Sequence, residues 1–206
     1  MAKAGTLLWL ADTSALDADW FVAGLGWLND AERLRHERFV RAERRRQFVA
    51  GRVLLRMALG TLLDIAPLEI ALTERPGNAP ALAFPKRSGL GLSISHSGQW
   101  VACAVSLAGP VGLDIERIDP ARDVIAIAEQ AFGLEEAGRL QSLDPAARAG
   151  AFYRMWCRYE AHIKLGCTGL LDMFHTVPGL MLALSSMQVL NVEWTMIDLR
   201  GVHLSG

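Results

Sequence analysis

Residues 31–63 form the tract that most constrains how this chain folds. Its apolar residues, Phe48 and Leu55 among them, recur at the three-, four- and seven-residue spacing of a helix, while arginines fill the other faces. Nine arginines fall between Glu32 and Arg56, against three glutamates. We predict a long helical tract whose charged side is either a solvated face or a surface that binds an anion such as phosphate.

The composition indicates a packed globular protein. Hydrophobic residues make up 51% of the 206 residues, charged residues make up 21%, and the formal net charge is -1. That charge balance excludes an overall basic nucleic-acid binder. No apolar run reaches the roughly 18 residues of a membrane span, and the N-terminal apolar stretch is too short for a secretory signal. We therefore expect a cytoplasmic chain with neither a membrane nor a nucleic-acid partner.

The three cysteines, Cys103, Cys157 and Cys167, contain no CxxC pair and form an odd set. This spacing indicates neither a zinc site nor a disulfide framework. We expect them to act as small hydrophobic side chains.

The order of predicted elements indicates an α+β protein with two halves of similar size. Strands are predicted at Leu7–Leu10, Leu90–Ile94, Trp100–Leu107 and Val111–Ile118, with a short antiparallel set at Met181–Leu184, Met187–Val192 and Trp194–Leu199. Besides the arginine tract, helices are predicted at Val124–Phe132, Leu134–Leu143 and 144–164. Gly109-Pro110 is the predicted boundary, which gives an N-terminal lobe at 1–108 and a C-terminal lobe at 109–206.

Two carboxylates stand two residues apart in the predicted strand that begins at Val111. On a strand this spacing places Asp114 and Glu116 on one face, while Leu113 and Ile115 point into the core. Adjacent carboxylates repel unless a cation lies between them, and oxygen ligands suit Mg²⁺. The alternative is a pair of polar residues on the solvent face of a strand.

A third carboxylate, Glu160, lies four residues before Lys164 on the last predicted helix. Both side chains therefore project from one helix face. They are either part of a catalytic site or a surface ion pair worth a few tenths of a kcal/mol.

The segment Ser95-His96-Ser97-Gly98 is predicted to be a turn between two strands. A histidine flanked by serines occurs in hydrolases, but the chain lacks the GxSxG nucleophile motif. The open alternatives are a solvated histidine and a set of donors to a phosphate.

Three motifs occur in order along the chain. They are Ile94-Ser95-His96-Ser97-Gly98, then Val111-Gly112-Leu113-Asp114-Ile115-Glu116, then a helix with Phe152-Tyr153, Trp156, Glu160-Ala161 and Lys164. In this order and at this spacing they resemble the 4′-phosphopantetheinyl transferases of the Sfp type, over about residues 31–171. The resemblance implies an α+β fold of two similar α/β lobes related by pseudo-twofold symmetry, with a cleft between them and the metal site in the C-terminal lobe.

The reaction that the resemblance implies moves the phosphopantetheine arm of coenzyme A onto a serine of an apo carrier protein and releases 3′,5′-ADP. By the same resemblance, Asp114, Glu116 and Glu160 would hold Mg²⁺ on the pyrophosphate. Lys164 would pair with the diphosphate, and Glu160 would also accept the proton of the acceptor serine. Glu160 and Lys164 are thus the expected catalytic pair.

The resemblance also implies how the nucleotide binds. Ser95 and His96 would contact the nucleotide phosphates together with Lys164, and Arg46 or Arg52 would reach the 3′-phosphate. The planar guanidinium fork suits this phosphate, which takes no part in the bond exchange.

The implied partners are coenzyme A and an acyl or peptidyl carrier protein from a fatty-acid, polyketide or nonribosomal-peptide synthase, with the chain acting as a monomer. Residues 122–143 are the candidate carrier contact through Ile125, Ile127 and Phe132, which could equally be core residues.

Two departures from the family pattern keep other functions open. Tyr159 stands where the family commonly has Lys, and Asn78 stands where a Gly-Lys-Pro segment has its cation. They motivate the alternative of an impaired relative that binds coenzyme A or a carrier without efficient transfer. A metal-dependent phosphohydrolase that uses the same carboxylates is a third hypothesis.

Overall fold

The structure is a computed structural model that describes residues 5–75, 77–167, 171–202 and 204. Within these residues it contains six α-helices and nine strands. The strands are β1 (Thr6–Asp12), β2 (Ala71–Thr73), β3 (Ala81–Phe84), β4 (Gly91–Ser97), β5 (Trp100–Ser106), β6 (Val111–Arg117), β7 (Leu171–Val177), β8 (Leu180–Ser186) and β9 (Val192–Met196). The helices are α1 (Ala18–Leu25), α2 (Asp30–Glu37), α3 (Ala42–Leu63), α4 (Val124–Phe132), α5 (Leu134–Gln141) and α6 (Pro145–Leu165). The α+β class predicted from the sequence is therefore confirmed.

The first sheet has four strands in the order β4-β5-β1-β9. Strand β1 is central and alternates its side chains between two cores. On one face Leu7 and Trp9 pack with the apolar side of α3, and on the other Leu8 and Leu10 face the second sheet. Strand β5 pairs antiparallel with β1, whereas β9 pairs parallel with it.

The second sheet has three antiparallel strands in the order β6-β8-β7. Leu113 and Ile115 of β6 are fully buried against the first sheet, as their spacing predicts. The other face of this sheet packs on α6, where Met181 and Ala183 meet Phe152 and Cys157. The layers are therefore α3, first sheet, second sheet and α6, and one long helix covers each sheet.

The arginine tract is not one helix, because it bends between α2 and α3. Helix α2 begins at a capping box, in which Asn29 accepts from the Glu32 N–H and Glu32 accepts from the Asn29 N–H. At the bend the Arg45 side chain donates to the Phe39 and Glu37 carbonyl oxygens, which keeps the interrupted backbone hydrogen-bonded.

The C-terminal strands differ from the predicted antiparallel set. β7 was not predicted, because residues 171–177 are half-exposed and carry no clear apolar alternation. Residues 187–191 are not a strand, and β9 crosses to pair parallel with β1. The division at residues 108 and 109 stays a prediction, and β9 lies in the sheet that residues 1–108 otherwise form.

None of the described helices is long and apolar enough to cross a membrane.

Candidate active site

A cleft of about 480 Å³ opens where α3, β4, β6 and α6 meet. Its floor carries Ser95, Asp114 and Lys164, and the loop at residues 77–80 borders its mouth. The full lining comprises Arg35, Arg44, Gln47, Phe48, Gly51, Arg52, Gly77, Asn78, Ala79, Pro80, Ser93, Ile94, Ser95, His96, Asp114, Ile163 and Lys164. Both halves of the chain therefore contribute to one site.

Asp114 is the centre of the polar floor. Lys164 Nζ donates to Asp114 Oδ1 over 2.7 Å and to Ser95 Oγ over 3.0 Å. Ser95 Oγ in turn donates to the same carboxylate oxygen over 2.9 Å. Asp114 is only 4% exposed, so this ion pair is largely shielded from water. The structure thus joins three of the residues singled out in the sequence.

Glu116 lies next along β6, half-buried beside Asp114. Burial raises the pKa of its carboxyl, the hydrogen bond from Ser97 Oγ at 2.8 Å lowers that pKa, and the charge of Asp114 raises it again. Because the two carboxylates repel each other where little water screens them, a nearby cation would stabilise their charged forms.

The donor set fits a small divalent cation such as Mg²⁺. No N–H or O–H group of the described residues donates to the buried Asp114 Oδ2, which is costly for a carboxylate oxygen unless a ligand takes it. Mg²⁺ is commonly held by one or two carboxylates, with water and substrate phosphates completing its shell. Asp114 and Glu116 supply that number.

Glu160 is not gathered with those two carboxylates. In the described part of the chain, no three His, Cys, Asp or Glu side chains are grouped as a metal site. Glu160 is half-buried on α6, one turn before Lys164.

The other end of the cleft is cationic. Arg35, Arg44 and Arg52 line it, and Arg52 stacks over the Phe48 ring with 4.5 Å from its guanidinium carbon to the ring centre. Burial, then the charges of Arg35 and Arg52, lower the pKa of Arg44. Three guanidinium groups close enough to perturb one another form a surface suited to an anion.

Arg52 is already partly neutralised. It is buried and pairs with Glu74 Oε1 over 2.5 Å and with Glu32 Oε1 over 3.1 Å. Glu74 also pairs with Arg35. Among the described residues no carboxylate pairs with Arg44, which donates to Gln47 Oε1 over 3.3 Å and lies over the Phe39 ring, so its charge is the more available one.

Arg46, which the resemblance singled out, lies elsewhere. It is not among the residues that line the cleft, and its guanidinium carbon lies 5.2 Å from the centre of the Phe21 ring. Arg44 is two residues away on the same helix, a spacing that turns the side chain to a different face.

His96 lies in the cleft as a neutral imidazole. Burial, followed by the charges of Arg44 and Lys164, lowers its pKa to about 3. His96 and its two flanking serines belong to β4, not to a turn as predicted, and the turn is formed by Gly98 and Gln99. Gly98 has φ of 55°, a conformation that favours glycine, and its carbonyl accepts from Gln47 Nε2 over 2.7 Å.

Sequence reasoning missed Arg35, Arg44 and Glu74 as site residues. Arg35 and Arg44 were visible only as members of an arginine tract with no assigned face. Glu74 carries no motif, and its role depends on contacts with α2 and α3, 39 and 22 residues before it in the chain.

Comparison with known proteins agrees with this geometry. Residues 14–108 match the family model described as 4′-phosphopantetheinyl transferase, N-terminal, and residues 110–196 match that of the 4′-phosphopantetheinyl transferase superfamily. The chain belongs to the 4′-phosphopantetheinyl transferase superfamily.

Curated members of the superfamily resemble this chain over much of its length. The 4′-phosphopantetheinyl transferase HetI of Nostoc is 33% identical over 144 residues, which cover 69% of this chain and 61% of the relative. The 4′-phosphopantetheinyl transferase of Bacillus subtilis is 32% identical over 140 residues, 66% of this chain and 60% of the relative. The transferase AcpT of Salmonella typhi is 35% identical over 121 residues, 59% of this chain and 58% of the relative. The chain thus spans about three fifths of the length of the curated relatives it matches.

Tyr159 stands where the superfamily commonly has lysine, and the structure shows its surroundings. Its side chain is 45% exposed and meets the Phe132 ring edge to face, with 5.3 Å between ring centres. The position therefore joins α6 to the end of α4.

Proposed function

We propose that this chain transfers the 4′-phosphopantetheine arm of coenzyme A to a serine of an apo acyl or peptidyl carrier protein and releases 3′,5′-ADP. The observation that carries the proposal is Asp114: in the described part of the chain no N–H or O–H donates to its buried Oδ2, while Lys164 holds Oδ1 over 2.7 Å. This pair lies in the same cleft as three arginines. A cleft with a metal-type carboxylate at one end and an arginine cluster at the other fits a ligand with a diphosphate and a separate phosphate.

The arginine end would hold the 3′-phosphate. Arg44 is the main candidate because no carboxylate in the described part of the chain pairs with its charge. Arg35 and Arg52 would add a positive field that Glu74 only partly offsets. Neutral His96 offers one N–H donor beside them. Arg46, on Phe21, takes no part in this proposal.

The floor would hold the diphosphate and the acceptor serine. Asp114 and Glu116 would bind Mg²⁺, which supplies charge stabilisation to the diphosphate when bound. The serine oxygen forms a bond to the phosphorus of the phosphopantetheine phosphate, and the bond from that phosphorus to the oxygen of 3′,5′-ADP breaks. Glu160 would take the serine proton, and Lys164 would stabilise the charge on the departing phosphate.

The carrier protein would dock beside the cleft, on residues 122–143. These residues carry two arginines against four acidic side chains, so the contact with an acidic carrier would rest on their apolar side chains and not on charge. Ile125, Ile127 and Phe132 are partly buried against the α6 core, and Leu134 is 74% exposed next to them. We further propose that the protein is located in the cytoplasm and acts as a monomer.

Loading of an apo carrier protein by the chain with coenzyme A and Mg²⁺ tests the function. Intact-mass spectrometry should show the gain of one phosphopantetheine group on the acceptor serine. Acyl, polyketide and peptidyl carriers are tested in parallel. Absence of that gain on all three would overturn the proposal.

Asp114→Asn is the matched variant for the floor of the cleft. It keeps the size of the side chain and removes its charge, so transfer should fall by roughly a thousandfold, as when a transition-state charge loses its stabilising group. Near wild-type transfer by a folded Asp114→Asn protein would remove Asp114 from the metal site.

Arg44→Ala tests the nucleotide end. Loss of a charge-assisted hydrogen bond to phosphate costs about 1.5–3 kcal/mol, so the KM for coenzyme A should rise roughly ten- to a hundredfold. The KM for dephospho-coenzyme A should change little, because that substrate lacks the 3′-phosphate. Arg46→Ala is the control and should leave both KM values unchanged. Equal effects of Arg44→Ala on the two substrates would contradict the assignment.

A further inference from the structure

Strand β6 is an edge strand of its sheet, and its free edge faces β4 of the other sheet. In an antiparallel sheet, alternate N–H groups of an edge strand point away from the partner strand and need another acceptor. On β6 these include the N–H groups of Leu113, Ile115 and Arg117, of which the first two form buried hydrogen bonds.

Three serine side chains of β4 accept those hydrogen bonds. Ser93 Oγ accepts from the Leu113 N–H over 2.9 Å, and Ser95 Oγ accepts from the Ile115 N–H over 3.2 Å. Ser97 Oγ accepts from the Arg117 N–H over 3.0 Å. We call Ser93, Ser95 and Ser97 the serine ladder. It joins strands of the two sheets through side-chain oxygens.

The space between β4 and β6 is narrow where the ladder begins. A Cβ on Gly91, which precedes the ladder on the same face, would lie 2.0 Å from the Gly109 carbonyl oxygen and 3.0 Å from the Val111 nitrogen. Serine therefore places an acceptor on the edge of β6 where the strands are this close.

Two rungs of the ladder also hold the carboxylates of the site. Ser95 Oγ donates to Asp114 Oδ1 over 2.9 Å, and Ser97 Oγ donates to Glu116 Oε2 over 2.8 Å. Each hydroxyl thus hydrogen-bonds to the backbone N–H of one β6 residue and to the side-chain carboxylate of the β6 residue that precedes it. Ser93 Oγ bonds the Leu113 N–H and, among the described residues, no carboxylate.

Ser95 has no hydrogen-bonding capacity left for a ligand. A serine hydroxyl has one donor and two acceptor positions. Ser95 Oγ accepts from the Ile115 N–H and from Lys164 Nζ and donates to Asp114. This arrangement opposes the expectation that Ser95 contacts a nucleotide phosphate.

We propose that Ser95 and Ser97 are positioning residues that orient Asp114 and Glu116 toward the cation by anchoring both carboxylates to the edge of β6. The proposal rests on the proposed function for the identity of the cation. It assigns to Ser95 and Ser97 a role through the carboxylates instead of direct contact with substrate.

Ser97→Ala and Ser97→Thr are the decisive pair, since Ser97 is partly exposed and a methyl group has room to point outward. With MgCl₂ alone, calorimetry should show at least roughly tenfold weaker binding by Ser97→Ala, the usual effect of removing a hydrogen bond to a metal ligand. Ser97→Thr should restore the affinity, because it keeps the hydroxyl. In transfer assays Ser97→Ala should lower kcat while the KM for coenzyme A stays within about twofold.

Amide hydrogen exchange by NMR in the protein without ligands tests the ladder itself. Ser97→Ala should speed exchange at the Arg117 amide, and Ser93→Ala should speed exchange at the Leu113 amide. Ser93→Ala is the matched control: it breaks the same kind of hydrogen bond but touches no carboxylate, so its Mg²⁺ affinity should match the wild type.

The outcomes separate this proposal from the proposed function. If Ser97→Ala binds Mg²⁺ as the wild type does, or if Ser93→Ala weakens binding equally, the positioning role is overturned. Unchanged exchange in both variants overturns the ladder, and a wild type that binds no Mg²⁺ overturns the assignment of metal ligands. If the wild type loads no carrier while the Mg²⁺ and exchange results hold, only the proposed function fails.

Discussion

At the scale of single residues, His96 couples folding to pH. Burial, then Arg44 and Lys164, lower its pKa from 6.5 to about 3 in the folded chain. Between these values the unfolded state binds a proton that the folded state excludes, so the free energy of unfolding rises with pH. The contribution of His96 to the free energy of unfolding is fully present above pH 6.5. Below pH 6.5 this contribution falls by up to about 1.4 kcal/mol per pH unit.

We predict that His96→Gln flattens the dependence of the unfolding free energy on pH below pH 6.5. Urea unfolding at a series of pH values measures this slope. Arg44→Ala is the control and should keep most of the wild-type slope, because burial is the larger cause of the pKa shift. Equal slopes for the wild type and His96→Gln would show that another group takes up the proton.

The residues of the cleft floor could be predicted more fully than those of its arginine end. Asp114 and Lys164 follow from spacing on a strand and on a helix, and the structure brings them together at 2.7 Å. The face of α3 that meets the cleft could not be chosen, since arginines occupy several faces of the tract. Arg44 and Arg46 are two positions apart on that helix, and only Arg44 reaches the cleft.

At the scale of elements, the position of Lys164 depends on the close approach of α6 to β6. A Cβ on Gly112 of β6 would lie 1.9 Å from the Ala161 carbonyl oxygen on α6. Gly112→Ala must therefore push the helix away from the sheet and draw Lys164 from Asp114. We predict a loss of about 1–3 kcal/mol in the free energy of unfolding and a loss of transfer activity.

Gly150→Ala on the same helix is the matched control. Beyond the neighbouring helix backbone, no atom of the described residues lies within 4 Å of the added Cβ, so the helix should gain roughly 1 kcal/mol from the better propensity of alanine. Chemical unfolding of both variants gives the two values. Stabilisation by Gly112→Ala would mean that α6 does not pack on β6 at this distance.

Elements with strong local patterns could be predicted, and those that depend on distant partners could not. α4 matches its predicted bounds, Val124–Phe132, because its apolar periodicity and its stop at Gly133 are both local. The bend between α2 and α3 depends on Arg45 reaching back to Phe39 and Glu37, which periodicity does not show. Strand β9 is defined by its partner β1, which lies at the other end of the chain.

At the scale of the whole molecule, the near-zero net charge is the sum of a cationic region and an acidic region at the two ends of the cleft. The cationic end of the cleft comes from α2 and α3, whereas Asp114 comes from β6 and its partner Lys164 comes from α6. The four layers bring these ends together only when both sheets are packed. Because β1 contributes to both cores, separation of the sheets would dismantle the cleft together with the fold.

The C-terminal segment stabilises the first sheet and the core beneath it. β9 covers one edge of β1, Leu199 is 1% exposed, and the indole N–H groups of Trp20 and Trp27 donate to the Leu199 and Leu204 carbonyl oxygens. We predict that a chain ending at Leu190 loses cooperative unfolding and aggregates, because the edge of β1 and part of the core are exposed. Val189→Ser, which removes an 85% exposed side chain just before the cut, should change stability by less than about 0.5 kcal/mol. Thermal melts followed by circular dichroism and light scattering measure both effects. A truncated chain that melts cooperatively at the wild-type temperature would show that the first sheet is complete with three strands.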